Sequence, residues 1–207
     1  MIKKLNFSNE FFEVSYINDQ IIESIDNFTI VVNLSKNPIK VDFVSEITQD
    51  KSFMLHKCNK PLKVNECLLV KYNFDPSIVN LDLQKFCTSN WNNNKIRYPE
   101  DPSKWNYAIL RSPIDKLGKF EFNCWYLPKN TASSIHNEHS FTEVHTQIYG
   151  LGIMNKFSDN NKESLYQRMY MAPGFTHDYF FNNEIKYPWH QYEAVSECIW
   201  MAICKYK

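Results

Sequence analysis

The chain has 207 residues, 43% apolar and 15% aromatic, enough for one large domain or two small ones with a sizeable core. Its 23 basic and 23 acidic residues cancel and no basic block stands out, which argues against nucleic acid and anionic membranes as partners. No apolar run nears the roughly 20 residues of a membrane span, and the start, Met1-Ile2-Lys3-Lys4-Leu5-Asn6, lacks a signal-peptide apolar core.

A cytoplasmic location is therefore expected, and the balanced charge leaves a homodimer open. In that compartment the six cysteines, none in a CxxC pair, read as reduced and inert thiols.

In chain order, the first strand signal is Phe28 to Leu34, rich in branched residues. Ile39 to Val44 alternates apolar and polar, as a half-buried strand does, and Cys67 to Tyr72 is a further candidate. Asp75 to Cys87 is the one stretch with a helical look. Asn90-Trp91-Asn92-Asn93-Asn94 is a loop signal, and Tyr98-Pro99-Glu100-Asp101-Pro102 is the best domain boundary. Beyond it come Tyr107 to Leu110, Phe120 to Tyr126, a histidine-rich segment and Leu165 to Met171. The chain closes on Cys198 to Cys204, apolar on both faces and so expected at the centre of a sheet. All four glycines lie between positions 118 and 174, so turns that need a positive φ are expected to cluster there. Short strands with Pro or Gly turns predict an all-β sandwich or barrel.

Five of the six histidines fall between His136 and His190, and three of them within the run His136-Asn137-Glu138-His139-Ser140-Phe141-Thr142-Glu143-Val144-His145. On a strand, residues 139, 141, 143, 145 and 147 point the same way. That face would carry His139, Phe141, Glu143, His145 and Gln147. Imidazole nitrogens with one carboxylate suit a divalent transition metal such as Zn, Fe, Mn, Ni or Co. The alternative for such a face is an unusually polar core.

Glu143 is followed by six residues and Gly150, and later by Ala172-Pro173-Gly174-Phe175-Thr176-His177. On these residues the segment 104–207 resembles the cupin superfamily. Its first motif runs HxH, three or four residues, Glu, six residues, Gly, and its second runs PxGxxH, three residues, Asn. His139, Glu143 and Gly150 match the first, and Pro173-Gly174 with His177 is a near variant of the second. Two departures stand out. Asn137 occupies the place of the first histidine, and the asparagine after His177 comes late, at Asn182. The resemblance implies a cupin jelly roll holding one divalent transition metal through His139, Glu143 and His177. His145 is the favoured fourth ligand, and His136 could join if a bulge re-aims it.

A second block, Tyr187-Pro188-Trp189-His190-Gln191-Tyr192, places His190 and Tyr192 on one face. His190, Tyr192 and Gln147 are the candidates for acid/base or orienting work. Trp189, Arg168, Tyr149 and Lys156 are candidates for binding substrate. A structural role competes for every one of them.

The strings around His145, His177 and His190 look closest to the cupin domains of aldos-2-ulose dehydratase-type enzymes. That likeness implies a lyase or isomerase acting on a small keto-sugar or polyol. An iron-dependent dioxygenase and a non-enzymic sugar-binding domain are the alternatives, because one scaffold hosts many chemistries. The expected units are 104–207, the metal-binding half, and 1–98, whose one histidine is His56. The latter reads either as a second jelly roll without ligands, giving a bicupin, or as extra strands that extend one sandwich.

Overall fold

The computed structural model describes residues 1–42, 45–75, 87, 91, 109–178, 180 and 187–206. The loop at 90–94 and the stretch expected to be helical fall largely outside these residues, although Cys87 and Trp91 are helical. The boundary at 98–102 and Asn182 fall wholly outside them. The described chain is all-β, as its pattern predicts. Among the described residues no helix is long and apolar enough to cross a membrane.

The chain forms two compact units, Met1–Leu81 with Gly174–Thr176, and Asp82–Pro173 with His177–Lys207. In the first, strands β1 (Ile2–Lys4), β2 (Phe12–Ile22), β3 (Thr29–Asn33), β6 (Ser52–Leu55) and β7 (Leu62–Tyr72) form an antiparallel sheet in the order β1-β2-β7-β3-β6. A small hairpin, β4 (Ile39–Lys40) with β5 (Glu46–Ile47), completes the unit. β3 is buried along its whole length, which explains its run of branched residues. The core is aliphatic: Ile17, Val31, Ile39, Ile47, Leu62 and Val64 pack together. β2 escapes the sequence pattern because Asn18-Asp19-Gln20 reads as a turn. The strand runs through it, with Asp19 in the left-handed region at φ 48.

The second unit holds β8 (Leu110–Arg111), β9 (Asp115–Leu117), β10 (Phe120–Leu127), β11 (Thr131–Ala132), β12 (Thr142–Tyr149), β13 (Gly152–Phe157), β14 (Leu165–Met171), β15 (Trp189–Ala194) and β16 (Cys198–Lys205). One sheet has the order β12-β16-β10-β8, with β9 also paired to β10, and the other has the order β11-β15-β13-β14. The sheets face each other across a core that includes Trp125, Met154, Met171, Tyr192 and Trp200. Tyr192 of one sheet stacks on Trp200 of the other at 4.0 Å between centroids. β16 lies between β12 and β10, so both its faces are buried, as its apolar run requires.

Two glycines shape this unit. Gly150 turns β12 into β13 at φ +73, where a Cβ would run into the Glu197 carbonyl. At Gly152 a Cβ would strike the Tyr192 ring and hydroxyl. The expected clustering of positive-φ turns holds only in part. Asp19, Asp50 and Lys57 adopt positive φ in the glycine-free half, at 48, 59 and 53. Asp and a turn-forming polar residue tolerate this conformation well enough to replace glycine.

Candidate metal centre

Register determines what the β12-β16-β10-β8 sheet presents inward. Glu143 pairs Cys204, which pairs Glu121. In the next inward row His145, Ala202 and Asn123 align, and in the one after it Gln147, Trp200, Trp125 and Arg111. Alternation sends all of these side chains to one face. Most of them line a cleft of about 410 Å³, closed on the other side by Ser133, His190 and Tyr192.

Among the described residues, one group of ligating side chains converges. His136, His139 and His190 each offer a ring nitrogen, and these atoms lie within 4.8 Å of one another. His136 and His190 are paired through their backbones, His136 N–H to His190 O at 3.0 Å and His190 N–H to His136 O at 2.9 Å. Their rings are oriented by carbonyls: Nδ1 of His136 donates to Ser134 O at 2.9 Å and Nδ1 of His190 to Pro188 O at 3.1 Å. A carbonyl can only accept, so each Nδ1 carries the proton and each Nε2 carries the lone pair. Metal-binding histidines are commonly oriented in this way by a backbone carbonyl on the other nitrogen. His190 Nε2 is buried with no hydrogen-bond partner in the protein. Burial pushes the His190 imidazole well below its usual range, with the neighbouring His136 adding to the effect, so the ring is neutral and its lone pair available. The donor set therefore fits a divalent transition metal.

Glu143 sits against this group. Its Oε2 lies 3.9 Å from His139 Nε2 and 3.2 Å from His145 Nε2, and the Cys204 thiol donates to Oε1 at 3.5 Å. Burial works to raise the Glu143 carboxyl, but the charge of His145, the hydrogen bond from its ring and the charge of His139 outweigh it. The carboxyl is held well below the ordinary carboxylate range and is ionised. Because His145 Nε2 is committed to Glu143, its Nδ1 is left buried and without a partner.

His177 stands apart. Its Nε2 accepts the backbone N–H of His145 at 3.0 Å and its Nδ1 donates to Asp178 O at 2.7 Å. Both nitrogens are engaged, so neither lone pair is offered to an ion. Burial is the main cause that brings its pKa down to about 3. The imidazole thus fastens β12 to the Pro-Gly turn. His190, read from sequence as an acid or base, lies instead with His136 and His139.

Tyr192 donates its hydroxyl to Gln147 Oε1, while Gln147 Nε2 donates to Tyr149 O at 2.7 Å and Gly150 O at 3.1 Å. Burial raises the Tyr192 phenol well above its usual value. This pair braces the end of β12 and offers no proton near neutral pH. Tyr149 lies beside that turn, outside the cleft lining. Arg168 is bound to Glu193 at 2.7 Å and to Asn155 at 3.0 Å. The Lys156 ammonium lies over the Phe180 ring, 4.9 Å from its centroid. Trp189 falls on the opposite face of β15 from His190 and does not line the cleft. All six cysteines are free, and five are buried.

Sequence reasoning passed over Arg111, Asn123 and Trp200, which line the cleft. For Asn123 a signal was present. Along β10, Glu121, Asn123 and Trp125 alternate with Phe120, Phe122 and Cys124, so the polar residues share one face.

No protein-family model and no curated protein matches this chain. The solved structures similar to it include cupins. A cupin 2 conserved barrel domain protein from Leptotrichia buccalis is 10% identical, with a TM-score of 0.38, over 100% of this chain and 88% of that one. An oxalate decarboxylase is 11% identical, with a TM-score of 0.39, over 96% of this chain and 70% of that one. KdgF from Halomonas sp. is 9% identical, with a TM-score of 0.36, over 56% of this chain and 92% of that one. At these values the superpositions are partial, and the site stands on the geometry above.

Proposed function

We propose that the second unit is a metal-dependent enzyme, a lyase or isomerase acting on a small oxygen-rich substrate of keto-sugar or polyol type. The observation that carries this reading is the convergence of His136, His139 and His190 at one end of the cleft. These three nitrogens would hold a divalent transition metal, whose chemistry would be to polarise a carbonyl or acidify a hydroxyl. Three protein ligands leave room for a substrate oxygen, as catalytic sites do and structural ones do not.

The chain's own residues supply the rest. In its neutral tautomer the His145 ring donates Nε2–H to the ionised Glu143 carboxylate, which leaves the Nδ1 lone pair as the proton acceptor. In this reading His145 removes the proton alpha to a bound carbonyl. The aromatic floor of Trp125 and Trp200, stacked 6.2 Å apart with planes 11° from parallel, keeps water from that wall and gives a sugar ring or carbon chain a face to lie on.

The test is elemental analysis of protein purified without a polyhistidine tag. Wild type and His177→Ala should carry one ion per chain, and His136→Ala/His190→Ala should carry none. Equal metal in wild type and the double variant sinks the reading. Keto-sugars and polyols are then screened without oxygen. Loss of one water marks a lyase, and rearrangement at constant mass marks an isomerase. Activity that needs iron and consumes oxygen would favour the dioxygenase alternative.

A further inference from the structure

We infer that the cleft carries a second, anion-binding subsite built from Arg111, Asn123 and Trp200, and that the substrate therefore bears a carboxylate. The inference rests on the reading of the cleft as a substrate site and narrows the keto-sugar or polyol class to its acidic members, which carry a carboxylate beside the oxo or hydroxy group.

Three observations meet here. Arg111 Nε, Asn123 Oδ1 and Trp200 Nε1 are all buried with no hydrogen-bond partner among the described residues. Asn123 and Trp200 are each 5% exposed, and all three residues line the same cleft as the histidine group. Register places them together: Arg111 pairs Trp125, Trp125 pairs Trp200, and Asn123 sits one inward row along. Buried polar groups without partners are rare, because each forgoes a bond that water supplied in the unfolded chain. Two of them, Arg111 Nε–H and Trp200 Nε1–H, are donors that one small anionic ligand satisfies together, whereas Asn123 Oδ1 is an acceptor and takes a hydroxyl of the ligand.

The charge of that ligand follows from Arg111. Its guanidinium lies over the Trp125 ring, 5.6 Å from the centroid, and makes no salt bridge to the carboxylates nearby. Glu121, on the same wall, is held by Lys116 at 3.0 Å and by the Tyr206 hydroxyl at 3.2 Å. Glu143 is held by His145. Of the three glutamates that line the cleft with Arg111, Glu121 and Glu143 are thus already engaged, and Glu138 is exposed to solvent. A guanidinium fork matches a planar carboxylate with two parallel hydrogen bonds. The Trp125–Trp200 planes run beside it, which favours a flat group over a tetrahedral phosphate. The indole N–H supplies a further donor for a carboxylate oxygen, and Asn123 Oδ1 accepts from a ligand hydroxyl. Carboxylate on Arg111 and a 2-oxo or 2-hydroxy oxygen toward the histidines would place the adjacent carbon near His145.

The test is calorimetric titration of the full chain, both as purified and after chelation. Pyruvate and lactate are the probes, hydroxyacetone is the neutral counterpart, and inorganic phosphate is the tetrahedral control. Wild type should bind the acids and not hydroxyacetone. Arg111→Gln should weaken acid binding at least about 10-fold, with Arg111→Lys in between. Metal content should stay that of wild type. Trp200→Phe keeps the ring, loses Nε1–H, and should weaken binding about 3-fold; it keeps the idea refutable if Arg111→Gln does not fold. Unchanged acid affinity in either folded variant, equal binding of hydroxyacetone, no acid binding by wild type, or phosphate binding tighter than pyruvate overturns the subsite. Because the chelated protein is titrated too, that failure is separate from failure of the metal reading, which shows in metal content alone.

Discussion

The two units are built from the same material and use it in opposite ways. Each is antiparallel sheet with a buried face. In the first unit that face is aliphatic, with Val31, Leu62 and Val64 as its typical members. In the second, the inward rows of β12, β16 and β10 carry Glu143, His145, Asn123 and Trp200 in corresponding places. The buried atoms Arg111 Nε, Asn123 Oδ1, His145 Nδ1, His190 Nε2 and Trp200 Nε1, which have no hydrogen-bond partner among the described residues, all belong to residues of that one cleft. Their concentration in the second is a cost in stability, of the sort that accompanies a site.

The comparison is broken most forcefully at the histidines. His136→Ala/His190→Ala should abolish stoichiometric metal, a loss of about 100-fold or more in affinity, while circular dichroism stays that of wild type. If metal content is unaffected, the polar interior of the second unit is only structural. Next comes the dry sheet. Leu62 is fully buried, and Leu62→Ala should cost about 3 kcal/mol in urea unfolding with no change in metal per folded chain.

A third test uses acid. The folded His177 imidazole titrates at about 3, against an ordinary value near 6.5. Between those values the unfolded chain binds the proton and the folded chain does not. The stability from neutral His177 is complete above pH 6.5 and falls by about 1.4 kcal/mol for each pH unit below it, down to pH 3. In His177→Gln, urea unfolding at pH 4.5 and 6.5 should differ less than in wild type by that slope. The smallest effect is expected from Tyr192→Phe. It removes the hydrogen bond to Gln147 and should cost about 1–2 kcal/mol, leaving metal content alone.

Much of this arrangement was legible in the sequence, for identifiable reasons. Strand period exposed β14 and β16 almost to the residue, because each has a clear run of branched or aromatic side chains. It missed β2, where polar Asn18, Asp19 and Gln20 are tolerated on a strand's solvent side. The crowding of histidines pointed to the cleft where three of them converge, yet spacing alone could not separate the roles of individual rings. His136 and His190 are 54 positions apart and meet only because β15 returns beside the 136 segment. His177 has the residue type and motif position of a ligand, but the backbone N–H of His145 has taken its lone pair. Arg111 gave no signal, since its meaning depends on what pairs with β10.

The backbone bridge between His136 and His190 bears on the order of events in the life of the protein. Two of the three converging rings are ordered by peptide hydrogen bonds, so the entropy lost in ordering them belongs to folding and not to ion capture. Small metal domains whose ligands lie on otherwise unstructured chain unfold when the ion leaves. Here the stripped protein should keep a single cooperative melt, and added ion should raise its midpoint in proportion to the logarithm of its concentration. Such a chain can be released from the ribosome and fold before any ion is captured, so that metal supply and folding are independent steps under the proposed reading.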